Sequence, residues 1–234
     1  LTVTRGTLSR TRNGSITAIS SNHDLRVGDN MTTGGPGSVI ATTDDNLILL
    51  ANGLFRAAGT GTLALTGGAD GTGQVIVGTD ASLITGSGAL TVTSAQDMAL
   101  WRTSSTTGPI TITSGGNLTI GDDVVTGGAG TIGIGAEDAI TIAATVPIRT
   151  LGTGAIGIAA GTDGTGALTM GAGSLIETVS GAITVTTAGG DATVVRALSS
   201  SGDIQITSGK ALSILDNVTT NGAGSRSGPG TSPL

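Results

Sequence analysis

Apolar positions alternate with small or polar ones in short bursts, and one burst recurs. It reads Ile16-Thr17-Ala18, Val39-Ile40-Ala41, Leu63-Ala64-Leu65, Leu90-Thr91-Val92, Ile110-Thr111-Ile112, Ile132-Gly133-Ile134, Ile156-Gly157-Ile158, Ile183-Thr184-Val185 and Ile204-Gln205-Ile206. Two apolar residues flanking a third, usually small or polar, give the period-two signature of a strand with one buried face. The bursts start 20 to 27 residues apart, most of them with a Gly one or two positions earlier. Between them lie two more strand-like pieces set off by Gly, Asp and Asn, such as Asn117-Leu118-Thr119-Ile120 and then Asp123-Val124-Val125-Thr126. A single repeat of three short strands cannot bury its apolar face, so neighbouring repeats must stack. The expected class is all-β: a parallel β-helix with three short strands per rung and about ten rungs, Leu1–Val3 being counted as the first.

Stacked rungs turn equivalent positions into columns. The inward columns should run Ile16, Val39, Leu63, Leu90 and onward to Ile204, and Ala18, Ala41, Leu65, Val92 and onward to Ile206. Rungs counted from the residue before each burst start at 15, 38, 62, 89, 109, 131, 155, 182 and 203. The spacing series 24, 27, 20, 22 begins again at residue 131, which defines a four-rung unit of 93 residues. Gly59-Thr60-Gly61 matches Gly152-Thr153-Gly154, Asp70-Gly71-Thr72-Gly73 matches Asp163-Gly164-Thr165-Gly166, and Arg56 matches Arg149. Tandem duplication is the simplest origin. Residues 1–224 thus read as a single solenoid, and 225–234, with Gly228, Pro229 and Pro233, as a tail or linker. Asn22, Asn46, Asn117 and Asp138 precede the second strand of their rungs, where Asn or Asp ladders suit a corner.

Composition supports a narrow, dry interior. Of 234 residues 42 are Gly; the 37% that are hydrophobic are nearly all Ile, Leu, Val and Ala, with Phe55 and Trp101 the only aromatics. The absence of Cys excludes disulfides, thiol chemistry and Cys-ligated zinc. A net charge of −6 without a basic cluster argues against nucleic acid and anionic lipid as partners. No run of 18 apolar residues exists to span a membrane as a helix. The chain opens on Leu1-Thr2-Val3-Thr4, already strand-like, so either a leader has been removed or the chain is a piece of something longer.

Candidate chemistry is sparse. Catalysis on a β-helix needs clustered carboxylates with Lys or Arg in one singular place. The paired acids are Asp44-Asp45, Asp122-Asp123 and Glu137-Asp138, and the first and last recur 93 residues apart, as a structural corner would. His23 has no second His as partner. The loops around Asp70 and Asp163 lack the carboxylate density that Ca²⁺ requires. No catalytic, cofactor or metal residue is nominated, and no enzyme activity is expected. Arg56 and Arg149, and likewise Arg102 and Arg196, recur one unit apart and are candidates for lateral contacts between fibres. Thr-x-Thr pairs at Thr91/Thr93, Thr111/Thr113 and Thr184/Thr186 raise ice binding as an alternative, and polysaccharide binding or cleavage is a second. Neither end shows a cap, so Leu1, Val3, Ile204 and Ile206 are the candidate end-stacking residues, with a second copy or covalently continuous β-helix as partner.

Gly108-Pro109-Ile110-Thr111-Ile112-Thr113-Ser114-Gly115-Gly116-Asn117-Leu118-Thr119-Ile120-Gly121 and Ser180-Gly181-Ala182-Ile183-Thr184-Val185-Thr186-Thr187-Ala188-Gly189-Gly190-Asp191 resemble the repeats of filamentous-haemagglutinin-like adhesins and related giant bacterial surface proteins. The likeness extends over nearly all of residues 1–224. It implies a right-handed parallel β-helix, an extracellular or cell-surface location, and a structural role as adhesin shaft or fibre subunit. Some members carry glycans at Asn-x-Ser/Thr sites, of which this chain has Asn13, Asn30, Asn117 and Asn217. A two-partner secretion domain at the start and a terminal barrel with an aromatic last residue are features of the resembled proteins that this sequence does not show. The resemblance therefore implies the shaft.

Overall fold

The computed structural model describes residues 2–3, 9–222 and 224–227. Among them the strands form three sheets of ten, each wholly parallel and each taking every third strand in chain order. The result is a β-solenoid of about nine turns. We number the sheets in the order a turn visits them. Sheet 1 includes Leu25–Val27 and Leu118–Ile120, sheet 2 includes Leu54–Ala57 and Pro147–Thr150, and sheet 3 holds the recurrent bursts from Ile16–Ser20 to Ile204–Ser208.

The expected sheet 3 columns hold without a slip: Ile16 aligns with Val39, Ile112 with Ile134, Ile134 with Ile158, and Ile183 with Ile204. In Ile110–Ser114 the first, third and fifth residues are buried and the second and fourth exposed. All three sheets face one continuous aliphatic core, in which Phe55 is fully enclosed between Met31 and Leu83 of the adjoining rungs. Each such side chain contributes roughly 1.5–3 kcal/mol before the entropy of ordering is set against it.

Both chain ends differ from expectation. Thr2–Val3 pairs with Arg26–Val27, so this strand belongs to sheet 1 and not with the bursts of sheet 3; Leu1 lies outside the described residues. Arg226–Ser227 pairs with Ile204–Gln205, which carries sheet 3 into the segment read as a tail.

The corner between sheets 3 and 1 also corrects the expected ladder. Asn46 and Asn117 take part as anticipated: Asn46 Nδ2 donates to Asp24 Oδ1 at 2.9 Å, and Asn117 Nδ2 to Asp97 Oδ1 at 3.1 Å. Asn46 Oδ1 in turn accepts from the Gln74 N–H at 3.0 Å. Asn22 and Asp138 are displaced from this column, their places being held by Asp24 and Ala139. Asn22 instead adopts a left-handed φ of 62°, and its N–H donates to Asp44 Oδ2 at 3.0 Å. A short polar side chain tolerates that backbone best after glycine.

Two further columns complete the corners. Strands of sheets 2 and 3 often end in a buried Ser or Thr whose hydroxyl donates to a turn carbonyl, as Thr126 does to Gly108 at 2.8 Å and Ser114 to Gln96 at 2.8 Å. Turning backbone aims carbonyls inward, and a buried acceptor must be satisfied. Between sheets 2 and 3 a glycine stands two residues before every sheet 3 strand: Gly14, Gly37, Gly61, Gly88, Gly108, Gly130, Gly154, Gly181, Gly202 and Gly224. From Gly37 onward a Cβ at each would overlap the carbonyl oxygen of the glycine one rung earlier. The chain approaches itself too closely there for any side chain.

Candidate functional site

The four arginines singled out by their spacing all come to sheet 2. Arg56 and Arg149 stand in one outward column, four rungs apart, reached through Ile84, Ser104 and Val125. Arg102 opens its sheet 2 strand, and Arg196 immediately precedes the strand Ala197–Ser199. Acids that the spacing did not connect with them lie alongside. Arg102 Nη2 is 3.4 Å from Asp122 Oδ2, and Arg149 Nε is 3.0 Å from Glu177 Oε2, an ion pair not aligned as a hydrogen bond. Both pairs are partly exposed and contribute at most ~1 kcal/mol each. Arg196 Nε is buried without a hydrogen-bond partner among the described residues, and Arg56 is exposed with no described ion pair.

Partial burial, and then the Asp122 charge, push the Asp123 carboxyl above its ordinary range, while Arg102 and Arg149 pull the other way. Two shallow hollows lie elsewhere. One of ≈ 210 Å³ surrounds Ala99 on sheet 1, between Gln74, Asp97 and Asn117, and one of ≈ 470 Å³ lies between Gly164–Gly166 and Lys210. Among the described residues no group of three His, Asp or Glu is placed to hold a metal ion. His23 sits exposed at the corner of sheets 3 and 1, its Nδ1 3.4 Å from the Ser21 carbonyl.

That corner gathers most of the acid. Asp24, Asp44, Asp45, Asp70 and Asp97, then Glu137, Asp138, Asp163 and Asp191, come from successive turns between the same two sheets, nine of the chain's sixteen acidic residues. Lys210 is the one basic residue described within it, apart from His23. The loops of the two 27-residue rungs are alike: Asp70 Oδ1 accepts from the Thr72 N–H at 3.0 Å, and Asp163 Oδ1 from the Thr165 N–H at 2.9 Å. Gly71 and Gly164, at φ 98° and 103°, turn both loops in the same way.

The candidate end-stacking residues need correction. Ile204 and Ile206 are 1% and 2% exposed, and Arg226–Ser227 pairs with the first two residues of their strand. For Val3 only the backbone pairing with Val27 is described. The exposed inward position is Ile214, at 43%. Its column mates Ile120, Ile142, Met170 and Val194 are all 2% exposed or less. Leu212 and Val218 of the same rung are half-buried. Among the described residues no further rung stacks on Ile214, as one does on its column mates.

Fold and surface define a class: a parallel β-solenoid repeat protein. Comparison with family models, curated proteins and solved structures gives no match.

Proposed function

We propose that the chain is a structural extracellular β-helix, the shaft of a surface adhesin or a subunit of an extracellular fibre, that works by end-to-end β-stacking. The observation that supports this reading is the open layer at Ile214, with Leu212 and Val218 beside it. A further rung, covalent or from a second copy, would bury Ile214 and Leu212 more deeply and extend the sheet they stand on. Its mechanism is mechanical: parallel hydrogen-bonded sheets around a dry core make a rod that holds its far end at a distance. Ten strands stacked at ~4.8 Å give a length of roughly 45 Å. Electron microscopy and sedimentation of the 234-residue chain test the self-assembling form. The expected result is filaments whose long axis is the coil axis; a monodisperse monomer at high concentration overturns end stacking.

One observation favours a second reading, ice binding. Thr42, Thr66, Thr93 and Thr113 align in four successive rungs outside sheet 3, and Thr119, Thr141, Thr169 and Thr193 align in four outside sheet 1. The sheet 3 ladder then breaks at Gly135 and Ala159, and the two ladders lie on different faces. Thermal hysteresis in a cooled solution of the chain supports this reading, and ordinary freezing removes it.

A further inference from the structure

The acidic corner and the arginine-bearing sheet stand on opposite sides of the molecule. Three sheets close around one core, so the corner between sheets 3 and 1 lies across from sheet 2. Nine of the sixteen acidic residues therefore sit along one edge, while five of the ten basic residues, Arg10 and the four arginines described above, stand on the far face beside three acids, Asp122, Asp123 and Glu177.

The two charge patterns also share a period. Arg56 and Arg149 are four rungs apart, and so are Asp45 and Asp138, whose backbone carbonyls accept from the N–H of Gly68 and Gly161 at the start of the long loops one rung later. Four steps of ~4.8 Å place the members of each pair ~19 Å apart. A rod laid along another thus meets both arginines with both acidic clusters in a single register. Arg56 has no described partner to give up, and Arg149 faces Glu177 through Nε alone, which leaves its terminal nitrogens outside any described ion pair.

We propose that copies of this chain associate side by side, the acidic corner of one lying against the arginine face of sheet 2 of the next. Corner and face belong to opposite sides of one molecule, so the contact is heterologous and leaves a free corner at one edge of the pair and a free face at the other. Addition continues, and the product is a ribbon one rod thick. This contact does not depend on end stacking: it is electrostatic and weakens with salt, whereas burial of Ile214 does not.

Sedimentation velocity and electron microscopy of the full chain at ~20 mM and ~500 mM NaCl separate the two contacts. Side-by-side pairing is expected at low salt and should weaken by at least about tenfold at high salt, while any end-to-end growth persists. The double variant Arg56→Glu/Arg149→Glu should lose the lateral contact, and so should Asp45→Arg/Asp138→Arg. An equimolar mixture of the two should regain it, because each then offers the charge the other lacks. Circular dichroism establishes that each variant keeps its strands; if one does not fold, the other alone decides. Equal sedimentation of the wild-type chain at both salts, association of a folded variant at wild-type strength, or failure of two folded variants to complement overturns the proposal.

Discussion

The two 93-residue units place the same backbone under different side chains. Both bury aliphatic columns, both carry the corner glycine, and both turn their long loops through an Asp and a left-handed glycine. They part at the corner of sheets 3 and 1. Asn46, Gln74, Asp97 and Asn117 hold the ladder column in the first unit, whereas Ala139, Ala167, Asp191 and Ala211 hold it in the second. They part again at the end of sheet 2, where Thr178 Oγ1 donates to the Gly181 carbonyl at 2.7 Å while its counterpart Thr85 Oγ1 is buried with no hydrogen-bond partner among the described residues. The turn after Thr85 begins with Gly86 where the second unit has Val179. Corner hydrogen bonds are thus exchangeable, and the core and the glycine edge are what a rung cannot do without.

The severest way to break that division is to put charge into the shared core. Ile134, the counterpart of Ala41, lies between Ile112 and Ile158, so Ile134→Asp buries a carboxylate without a partner. The expected loss is more than ~4 kcal/mol or no folded protein, while Thr111→Asp on the exposed side should stay within ~0.5 kcal/mol. Urea titration followed by circular dichroism reads both, and equal damage would refute the inward and outward assignment.

Next in size is the glycine edge. Gly154→Ala forces a methyl group onto the Gly130 carbonyl, and Gly61→Ala does the same at Gly37. Both should cost about 2–4 kcal/mol, because neighbouring backbone has to shift. Gly133→Ala, with open space around its Cβ position, should leave the melting curve almost unmoved. A tolerant Gly154 would show that the edge can relax.

The comparison sharpens at the two threonines. Thr178→Val removes a made hydrogen bond and should cost ~1–2 kcal/mol, whereas Thr85→Val removes an unpaired hydroxyl and should be neutral or stabilising. Parallel denaturation of the two variants checks the sign of the difference. Matching losses would mean that Thr85 finds an acceptor in solution.

Smallest are the pH effects. Hydrogen bonding from Asn46, then from Arg26, holds the Asp24 carboxyl below its ordinary value. Its contribution is therefore complete above ~3.9, the unfolded value, and fades as pH falls through the lowered one. Asp24→Asn should flatten the acid end of the stability profile. Asp123 has the opposite sign: stability declines as pH rises from ~3.9 to its raised value, so Asp123→Asn should slightly stabilise the chain at neutral pH. Stability measured from pH 3 to pH 7 distinguishes the two, and profiles that move the same way would contradict the assigned environments.

The core was legible because alternation and repeat length determine both columns of sheet 3 once rungs are aligned. Corner details were less so. Nothing in the sequence marks Asn22 as the residue with left-handed backbone, and the ladder position falls to Asp24, directly before the strand Leu25–Val27. Buried hydroxyls at Thr126 and Ser114 look like surface residues until the turn carbonyls they satisfy are located. The arginine period was visible, but its neighbours Asp122 and Glu177 are brought in by register across rungs of unequal length. For the same reason the acidic corner could not be seen in linear order. Ile204 and Ile206 close the last recurrent burst and so read as an end, although Arg226–Ser227 adds a strand without that pattern.

Rung lengths vary, yet the interval from the corner glycine to the following sheet 3 strand is always two residues. That glycine therefore acts as an index mark: residues gained or lost elsewhere in a turn are absorbed before the next mark, and phase error does not accumulate along the rod. Recombination between any two marks would preserve phase while changing length by whole turns. Tandem duplication of a 93-residue cassette would be one such exchange, and rods longer or shorter by one turn should be equally accessible to it.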